Sequence, residues 1–218
     1  MDARSRDQPD AAGHATGWLG EIAVLVPVKA FAEAKLRLAP VLDPSQRASL
    51  ARTMADRVLA SAGPLPTAVV CDDVEVATWA RSRGALVVWA PGRGLNRAVQ
   101  DGVQRLAGAG ARRAIVSAAD LPHADDLGAV AGQAGVVIVP DRRRDGTNVL
   151  SVPTDAGFGF SYGPGSFARH LEEARRLGIP VEVVDAPRLA WDVDLPSDLF
   201  PTAAGTLAPT GPAGPVGR

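Results

Sequence analysis

The sequence is poor in cysteine and lysine and has no long apolar run. With Cys71 as the single cysteine among 218 residues, an internal disulfide and a cysteine-based zinc site are excluded. No apolar stretch approaches the roughly 18 residues of a membrane-spanning helix. The 23 basic and 24 acidic residues give a net charge of −1, which disfavours binding to nucleic acid through its phosphates. We therefore expect a cytoplasmic protein that binds neither membranes nor nucleic acid.

Only two of the 23 basic residues are lysines, Lys29 and Lys35, and they lie in one short segment. A compositional bias toward Ala, Arg, Gly and Pro accounts for the excess of arginine. Two explanations of the remaining lysines stay open. Either the bias alone explains their small number, or lysine remains at these two positions because a compact ammonium is needed there.

Composition divides the chain into three parts. Residues 1–20 are polar without periodicity, which predicts a disordered leader. Residues 201–218 are rich in Pro, Gly, Ala and Thr, which predicts a flexible tail. A single domain is therefore expected over residues 21–200.

Within this domain, short apolar runs alternate with amphipathic segments. The runs predict buried strands and the segments predict helices, a pattern typical of a mostly parallel sheet covered on both faces. In such sheets ligands bind at the carboxyl ends of the strands. The predicted strands are 22–28, 67–71, 85–90, 114–118, 136–139, 148–152 and 181–184, and the predicted helices are 44–62, 73–84, 94–108, 122–133 and 167–177.

The loop after the first predicted strand begins at Pro27 and carries Lys29, Lys35 and Arg37. Three cations in nine residues fit the binding of a triphosphate by electrostatics. The loop is not of the G-x-x-x-x-G-K-[ST] type, which occurs nowhere in the sequence. A solvated loop with surface charge is the alternative that spacing alone leaves open.

An Asp-Leu-Pro triplet occurs twice, beginning at Asp120 and at Asp194. The first follows a predicted strand, so its carboxylate is expected in the cleft. Mg²⁺ prefers one or two carboxylates together with substrate phosphates. The alternative for Asp120 alone is a helix N-cap. The repeated triplet favours a metal pair, and Asp192 can share one face of an extended segment with Asp194.

Three further loops contain groups suited to anions or bases. Thr147 follows an Asp-Gly turn, and Gly163 leads into a helix that begins near Ser166, where free backbone N–H groups favour an anion. Gly92 and Asn96, after the third strand, fit the recognition of a base. Ordinary solvated loops and helix starts are the alternatives for all three. His170 is expected to pack or to face solvent, and Cys71 to be a buried small residue.

Several enzyme classes lack their motifs here. No G-x-S-x-G elbow and no H-E-x-x-H pair is present. Gly157-Phe158-Gly159 only loosely suggests a dinucleotide fingerprint, because its spacing is wrong and no glycine-bearing turn follows the first strand. A Rossmann dehydrogenase is therefore rejected.

Taken together, the motifs resemble a known family. L-V-P-V-K-x₅-K-L-R-L, D-L-P, D-G-T-N, Y-G-x-G-S-F-x-x-H and D-V-D-L-P occur in order over residues 22–199. They resemble the guanylyltransferases of deazaflavin coenzyme F(420) biosynthesis, whose acceptor is phosphoenolpyruvate or 2-phospho-L-lactate. Leu36 departs from the pattern, since Ser or Thr is expected before the arginine of the first loop.

The resemblance implies a nucleotidyltransferase fold, a three-layer α/β/α sandwich with a central mixed, mainly parallel sheet. It also implies GTP as donor, Mg²⁺ as cofactor and a small phosphorylated carboxylic acid as acceptor. The residues carried over from the family are Thr147, Gly163 and Ser166 for the acceptor. The loops and the charge of the reactants add the other expected roles: Lys29, Lys35 and Asp120 for catalysis; Pro27, Lys29, Lys35, Arg37, Gly92 and Asn96 for the nucleotide; and Asp120 and Asp194 for the metal.

The Arg- and Ala-rich composition fits the bacterial branch, so phosphoenolpyruvate is the acceptor we expect. The alternatives are 2-phospho-L-lactate, a nucleotidyltransferase for a sugar phosphate or the molybdenum cofactor, and a non-catalytic GTP-binding module. A downstream transferase of the pathway is a further expected partner.

Overall fold

A computed structural model describes residues 20–132 and 135–199. The leader and tail expected from composition lie outside the described residues, apart from Gly20. Seven strands form one sheet in the order β3-β2-β1-β4-β6-β5-β7. The strands are β1 Ile22–Pro27, β2 Thr67–Cys71, β3 Leu86–Trp89, β4 Arg113–Ser117, β5 Val136–Pro140, β6 Thr147–Pro153 and β7 Val181–Val183.

Four α-helices pack on the sheet: α1 Pro44–Ser61, α2 Val74–Ser82, α3 Gly94–Gly108 and α4 Ser166–Arg176. Alternate residues of β1 face opposite layers. Val24 and Val26 pack with α1 and α2, whereas Ala23 and Leu25 pack with α3 and α4. This alternation follows from the two-residue period of a strand. The model confirms the expected three-layer arrangement.

Local sequence explains where the first two helices begin. The Asp43 carboxylate accepts from the Gln46 amide, the Gln46 side chain accepts from the Asp43 amide, and Pro44 takes the first helical position. This capping box satisfies two amides that the helix cannot bond internally. At α2 the Asp73 carboxylate alone forms the cap, by accepting from the Val76 amide.

Strand β6 reverses the direction of the sheet. It is antiparallel to both β4 and β5, whereas β1, β2, β3 and β4 are parallel to their neighbours among these four. Ser117 pairs with Val149, and Pro140 with Thr147. The beginning of β6 therefore lies at the same sheet edge as the carboxyl ends of β1 and β4. The expected mixed, mainly parallel sheet is confirmed.

The helix expected over residues 122–133 is wrong. The described part of this segment contains a single 3₁₀ turn, Gly128–Val130. The Asp125 carboxylate accepts from the Asp126 amide, and the Asp126 carboxylate accepts from the Ala129 amide. Such local side-chain bonds compete with helical hydrogen bonds, and they hold the segment in turns.

Among the helices of the described ranges, none combines the length and the apolar character that crossing a bilayer would require.

Candidate active site

A cleft of about 630 Å³ opens at the sheet edge where β1, β2 and β4 end and β6 begins. Its size lies in the range typical of ligand pockets, about 300–1,000 Å³. Seven of the predicted site residues line it: Pro27, Lys29, Lys35, Arg37, Asp120, Thr147 and Asp194. The topology explains this convergence, because all the loops involved leave one edge of the sheet.

Lys35 joins the two Asp-Leu-Pro motifs across the cleft. Its Nζ atom donates to Asp120 Oδ2 at 2.5 Å and to Asp194 Oδ1 at 3.1 Å. The backbone of Lys35 is left-handed, with φ 55° and ψ 41°, a conformation that costs free energy for a non-glycine residue. The ion pairs hold the side chain that this unusual backbone aims at the carboxylates.

The charged state of Lys35 is favoured in this position. Burial opposes the charge, but attraction to Asp120 and then to Asp194 outweighs burial, so the pKa of Lys35 is raised. Arg37 adds a weaker contact, with Nη1 3.7 Å from Asp194 Oδ2. The site thus keeps two carboxylates around one protein cation, with exposed Lys29 and Arg37 at its mouth.

Asp194 is positioned by Asp198, a residue that sequence reasoning did not single out. The buried Asp198 carboxylate accepts from the amides of Asp194 and Leu195, each at 2.8 Å. Arg142 and Arg143 donate to the same carboxylate. Burial raises the pKa of Asp198, but the two amides and the arginines outweigh burial, and the net pKa is lowered. The second Asp-Leu-Pro motif is therefore held as a rigid turn.

Asp192 is the third acid near this point. It is buried, and within the described residues its Oδ1 atom has no hydrogen-bond partner. Burial raises the pKa of Asp192, and the charges of Asp120 and Asp194 raise it further. Arg142 Nη1 lies 3.7 Å from Asp192 Oδ1. Asp120 and Asp194 line the cleft, whereas Asp192 is not among its lining residues.

The donor set suits a hard divalent cation. The Asp120 and Asp194 carboxylates already converge on one cation, the Lys35 ammonium. Among the described residues, no cluster of three or more His, Cys, Asp or Glu forms a complete metal cage. Two carboxylates completed by substrate phosphates is the arrangement Mg²⁺ commonly adopts. The residues present therefore fit the predicted cofactor.

The two loops expected to bind the acceptor are tied to each other. The Asp145 carboxylate accepts from the Gly165 amide at 3.1 Å, and the Asp145 carbonyl accepts from the Phe167 amide at 3.0 Å. Thr147 lines the cleft, whereas Gly163 and Ser166 are not among its lining residues. Gly163 has φ +114°, which explains why glycine stands at this turn.

Asn96 is engaged in a contact that the sequence did not predict. Its amide side chain accepts from the Tyr162 amide at 2.6 Å and donates to the Tyr162 carbonyl at 3.4 Å. Neither Asn96 nor Gly92 lines the cleft; Leu95 and Ala98 of α3 do so instead. The nucleotide roles of Gly92 and Asn96 remain predictions, and the structure adds that Asn96 joins α3 to the loop before α4.

His170 is buried, and its ring contacts Thr147 rather than solvent. Tyr162, which also lines the cleft, stacks edge-on against the same ring with centroids 4.9 Å apart. Both belong to the Y-G-x-G-S-F-x-x-H motif. Their spacing of eight residues across a loop and a helix start gave no signal that they would meet.

Comparisons with known proteins relate this chain to one enzyme family. Residues 22–202 match the family model described as "Guanylyl transferase CofC like". The phosphoenolpyruvate guanylyltransferase of Rubrobacter xylanophilus is 41% identical over 184 residues, covering 80% of this chain and 90% of that protein. The 2-phospho-L-lactate guanylyltransferase of Methanothermobacter thermautotrophicus is 32% identical over 192 residues, covering 80% and 81%.

Solved structures show the same fold at low identity. A nucleotidyl transferase from Methanothermobacter thermautotrophicus has a TM-score of 0.60 and 17% identity, covering 84% of this chain and 95% of that one. A structure named as a CMP:2-keto-3-deoxy-manno-octonic acid synthetase has a TM-score of 0.53 and 13% identity, covering 83% and 95%. The family and the enzyme class predicted from the motifs are thus confirmed. The chain belongs to the CofC-like guanylyl transferase family.

Proposed function

We propose that this protein transfers GMP from GTP to the phosphate of phosphoenolpyruvate, releasing pyrophosphate. The product, enolpyruvoyl-diphospho-guanosine, serves coenzyme F(420) biosynthesis. The observation that carries the proposal is the convergence of Asp120, Asp194 and Lys35 on one point of a cleft that Thr147 also lines. Two anionic phosphates repel each other, and this arrangement supplies the positive charge of Lys35 and two carboxylates suited to a metal ion to bring them together.

The chemistry follows from charge. An acceptor phosphate oxygen attacks the α-phosphorus of GTP and forms a new P–O bond. The bond from the α-phosphorus to the bridging oxygen breaks, and pyrophosphate leaves with that electron pair. The acceptor phosphate is already largely ionised at neutral pH, because its second pKa is about 6. The reaction therefore requires no protein base. This agrees with the structure, because Asp120 and Asp194 are already paired with Lys35.

The protein groups act by holding and neutralising phosphates. Lys29 and Arg37 at the mouth bind the donor triphosphate, and Lys35 stabilises the charge that grows on the leaving pyrophosphate. Mg²⁺ bound by Asp120 and Asp194 would neutralise and polarise the phosphates. Asp198 and Arg142 keep Asp194 in place for this role.

Phosphoenolpyruvate is the acceptor that the relatives support. Seven matching proteins at 31–41% identity carry that name. A 2-phospho-L-lactate enzyme matches at 32%. The two acceptors differ in planarity at one carbon, so 2-phospho-L-lactate is the second candidate. We further propose that the reaction is cytoplasmic and that a downstream transferase consumes the product.

A purified preparation supplied with GTP and Mg²⁺ tests the proposal through pyrophosphate release. Phosphoenolpyruvate, 2-phospho-L-lactate and 3-phosphoglycerate are compared as acceptors, each with and without EDTA. Asp120→Asn removes a carboxylate from the cleft. Asp155→Asn is its matched control, because exposed Asp155 follows the far end of β6, away from Thr147.

We expect pyrophosphate release with phosphoenolpyruvate as acceptor. EDTA and the Asp120→Asn substitution should each abolish this release, and Asp155→Asn should leave it unchanged. Pyrophosphate release with 2-phospho-L-lactate alone would show that 2-phospho-L-lactate, and not phosphoenolpyruvate, is the acceptor. GTP binding without release from any acceptor would instead support a non-catalytic module. Full activity in folded Asp120→Asn would overturn the metal assignment.

A further inference from the structure

His170 lies fully buried on α4 between two polar groups. Its Nε2 atom accepts from the Ser161 amide at 3.0 Å, and its Nδ1 atom lies 3.0 Å from Thr147 Oγ1. Both ring nitrogens are therefore engaged. His170 itself does not line the cleft, whereas Thr147 does.

The Ser161 contact determines which ring nitrogen carries the proton. A backbone amide can only donate, so Nε2 must be the unprotonated nitrogen. The single proton of a neutral ring is then on Nδ1, and it points at Thr147 Oγ1. The aromatic rings of Phe158 and Tyr162 pack on the imidazole, with centroids 5.9 Å and 4.9 Å away. This apolar burial favours the neutral ring.

The ring proton in turn determines what Thr147 presents to the cleft. A threonine hydroxyl has one hydrogen and can accept as well as donate. When Oγ1 accepts from Nδ1–H, its own hydrogen cannot point back toward the ring. Thr147 can then present its hydroxyl hydrogen to an anion in the cleft. With the opposite arrangement it would present an oxygen lone pair, which would repel the anion.

We infer that His170 is a positioning residue that fixes the Thr147 hydroxyl as a hydrogen-bond donor toward the anionic acceptor. The inference rests on the proposed function, because it takes an anion bound beside Thr147 as the acceptor. It also gives a physical reason for the histidine that closes the Y-G-x-G-S-F-x-x-H motif. The residue acts through Thr147 and does not touch the substrate.

Nitrogen-15 NMR of the imidazoles tests the tautomer without any assay of activity. The protein has three histidines, His14, His123 and His170, and the His170→Asn variant identifies the signal of His170. The expected spectrum shows a protonated Nδ1 and an unprotonated Nε2 at neutral pH. A proton on Nε2, or rapid exchange between the two tautomers, would overturn the inference.

Kinetics test the consequence. His170→Gln keeps an acceptor for the Ser161 amide, because its amide oxygen reaches the Nε2 position, but it loses the donor to Thr147. We expect the KM for phosphoenolpyruvate to rise about tenfold, the loss of one hydrogen bond to a charged group, with the KM for GTP unchanged. His170→Asn places an amide nitrogen near Nδ1 and is expected to recover part of the loss.

A double-mutant cycle separates positioning from a structural role. In a Thr147→Val background, His170→Gln is expected to have no further effect on the KM for phosphoenolpyruvate. Independent, multiplicative effects, or an equal rise in the KM for GTP, would overturn the inference. If His170→Gln fails to fold, His170→Asn and the NMR of the wild type decide. Failure of the proposed function would appear separately, as a wild type that does not use phosphoenolpyruvate.

Discussion

Lys35 and Asp120 form an ion pair across the cleft, with Nζ 2.5 Å from Oδ2, and Asp194 completes the arrangement on the other side of the ammonium. The protein thus provides its own cation between two carboxylates suited to Mg²⁺. Without Lys35, two facing carboxylates would repel each other. With it, the two carboxylates are held close together for a cation that arrives with the substrate phosphates.

Replacing Lys35 by methionine therefore has two expected effects. The activity falls by about a hundredfold or more, since a charge that stabilises the leaving pyrophosphate is lost. At the same time, Mg²⁺ raises the melting temperature more in Lys35→Met than in the wild type, because no ammonium competes for the two carboxylates. Thermal melts over a Mg²⁺ titration measure the second effect.

Lys29→Met is the matched control for these melts. Within the described residues Lys29 forms no ion pair, and its side chain is exposed. The Mg²⁺-induced change in melting temperature is expected to equal that of the wild type. A smaller Mg²⁺ effect in Lys35→Met than in the wild type would contradict the account of this ion pair.

Asp198→Ala tests how the second Asp-Leu-Pro motif is held. The substitution leaves the Arg142 guanidinium and the amides of Asp194 and Leu195 without their shared acceptor. We expect the free energy of unfolding to fall by about 3 kcal/mol and kcat to fall as Asp194 loses its position. Urea unfolding measures the first effect. Asp155→Ala, at an exposed carboxylate, is expected to stay within about 0.5 kcal/mol of the wild type.

The buried imidazole of His170 makes stability depend on pH. Burial, reinforced by the charge of Arg169 and opposed by that of Glu173, lowers its pKa from 6.5 to about 4. Below its ordinary pKa the unfolded chain binds a proton that the folded protein does not, so stability falls with falling pH until the folded pKa is reached.

Urea unfolding across that pH range checks the sign. From about pH 7.5 to about pH 5, the wild type is expected to lose about 2 kcal/mol more than His170→Asn. Parallel losses in the two proteins would show that His170 is protonated in the fold. They would also remove the support that burial gives to a neutral ring.

Two glycines of α3 test the packing of the helix on the sheet. A Cβ at Gly102 would lie 2.6 Å from Leu25 Cδ2, whereas one at Gly108 meets nothing within 4 Å. Gly102→Ala is expected to lower the free energy of unfolding by about 2 kcal/mol through overpacking. Gly108→Ala is expected to raise it by up to about 1 kcal/mol through helix propensity. Equal effects in denaturant unfolding would contradict the close approach of α3 to β1.

The strands and the cleft were predictable because their signals are local. Apolar runs such as Ile22–Pro27 identify buried strands, and the carboxyl ends of parallel strands meet at one edge. The reason why Thr147 lies at that edge cannot be read from the local sequence. It begins the antiparallel strand β6, and strand direction depends on pairing between distant segments. From sequence, the loop itself left Thr147 open between an anion-binding group and an ordinary solvated loop, and the family resemblance implied its role at the acceptor.

The contacts that organise the site could not be predicted from the sequence, because they also join distant segments. Lys35 and Asp194 are 159 positions apart, and His170 contacts Thr147 from 23 positions away. Periodicity carries no information on such pairs. The wrong helix at 122–133 has a different cause, because the side-chain bonds of Asp125 and Asp126 override a plausible apolar pattern.

Phosphorus-31 NMR and mass spectrometry of a reaction containing GTP, phosphoenolpyruvate and Mg²⁺ test the central claim most directly. The account predicts pyrophosphate together with a new diphosphate ester that joins the phosphate of phosphoenolpyruvate to GMP, in equal amounts. Unchanged GTP, or GMP and pyrophosphate formed while phosphoenolpyruvate stays intact, would contradict it.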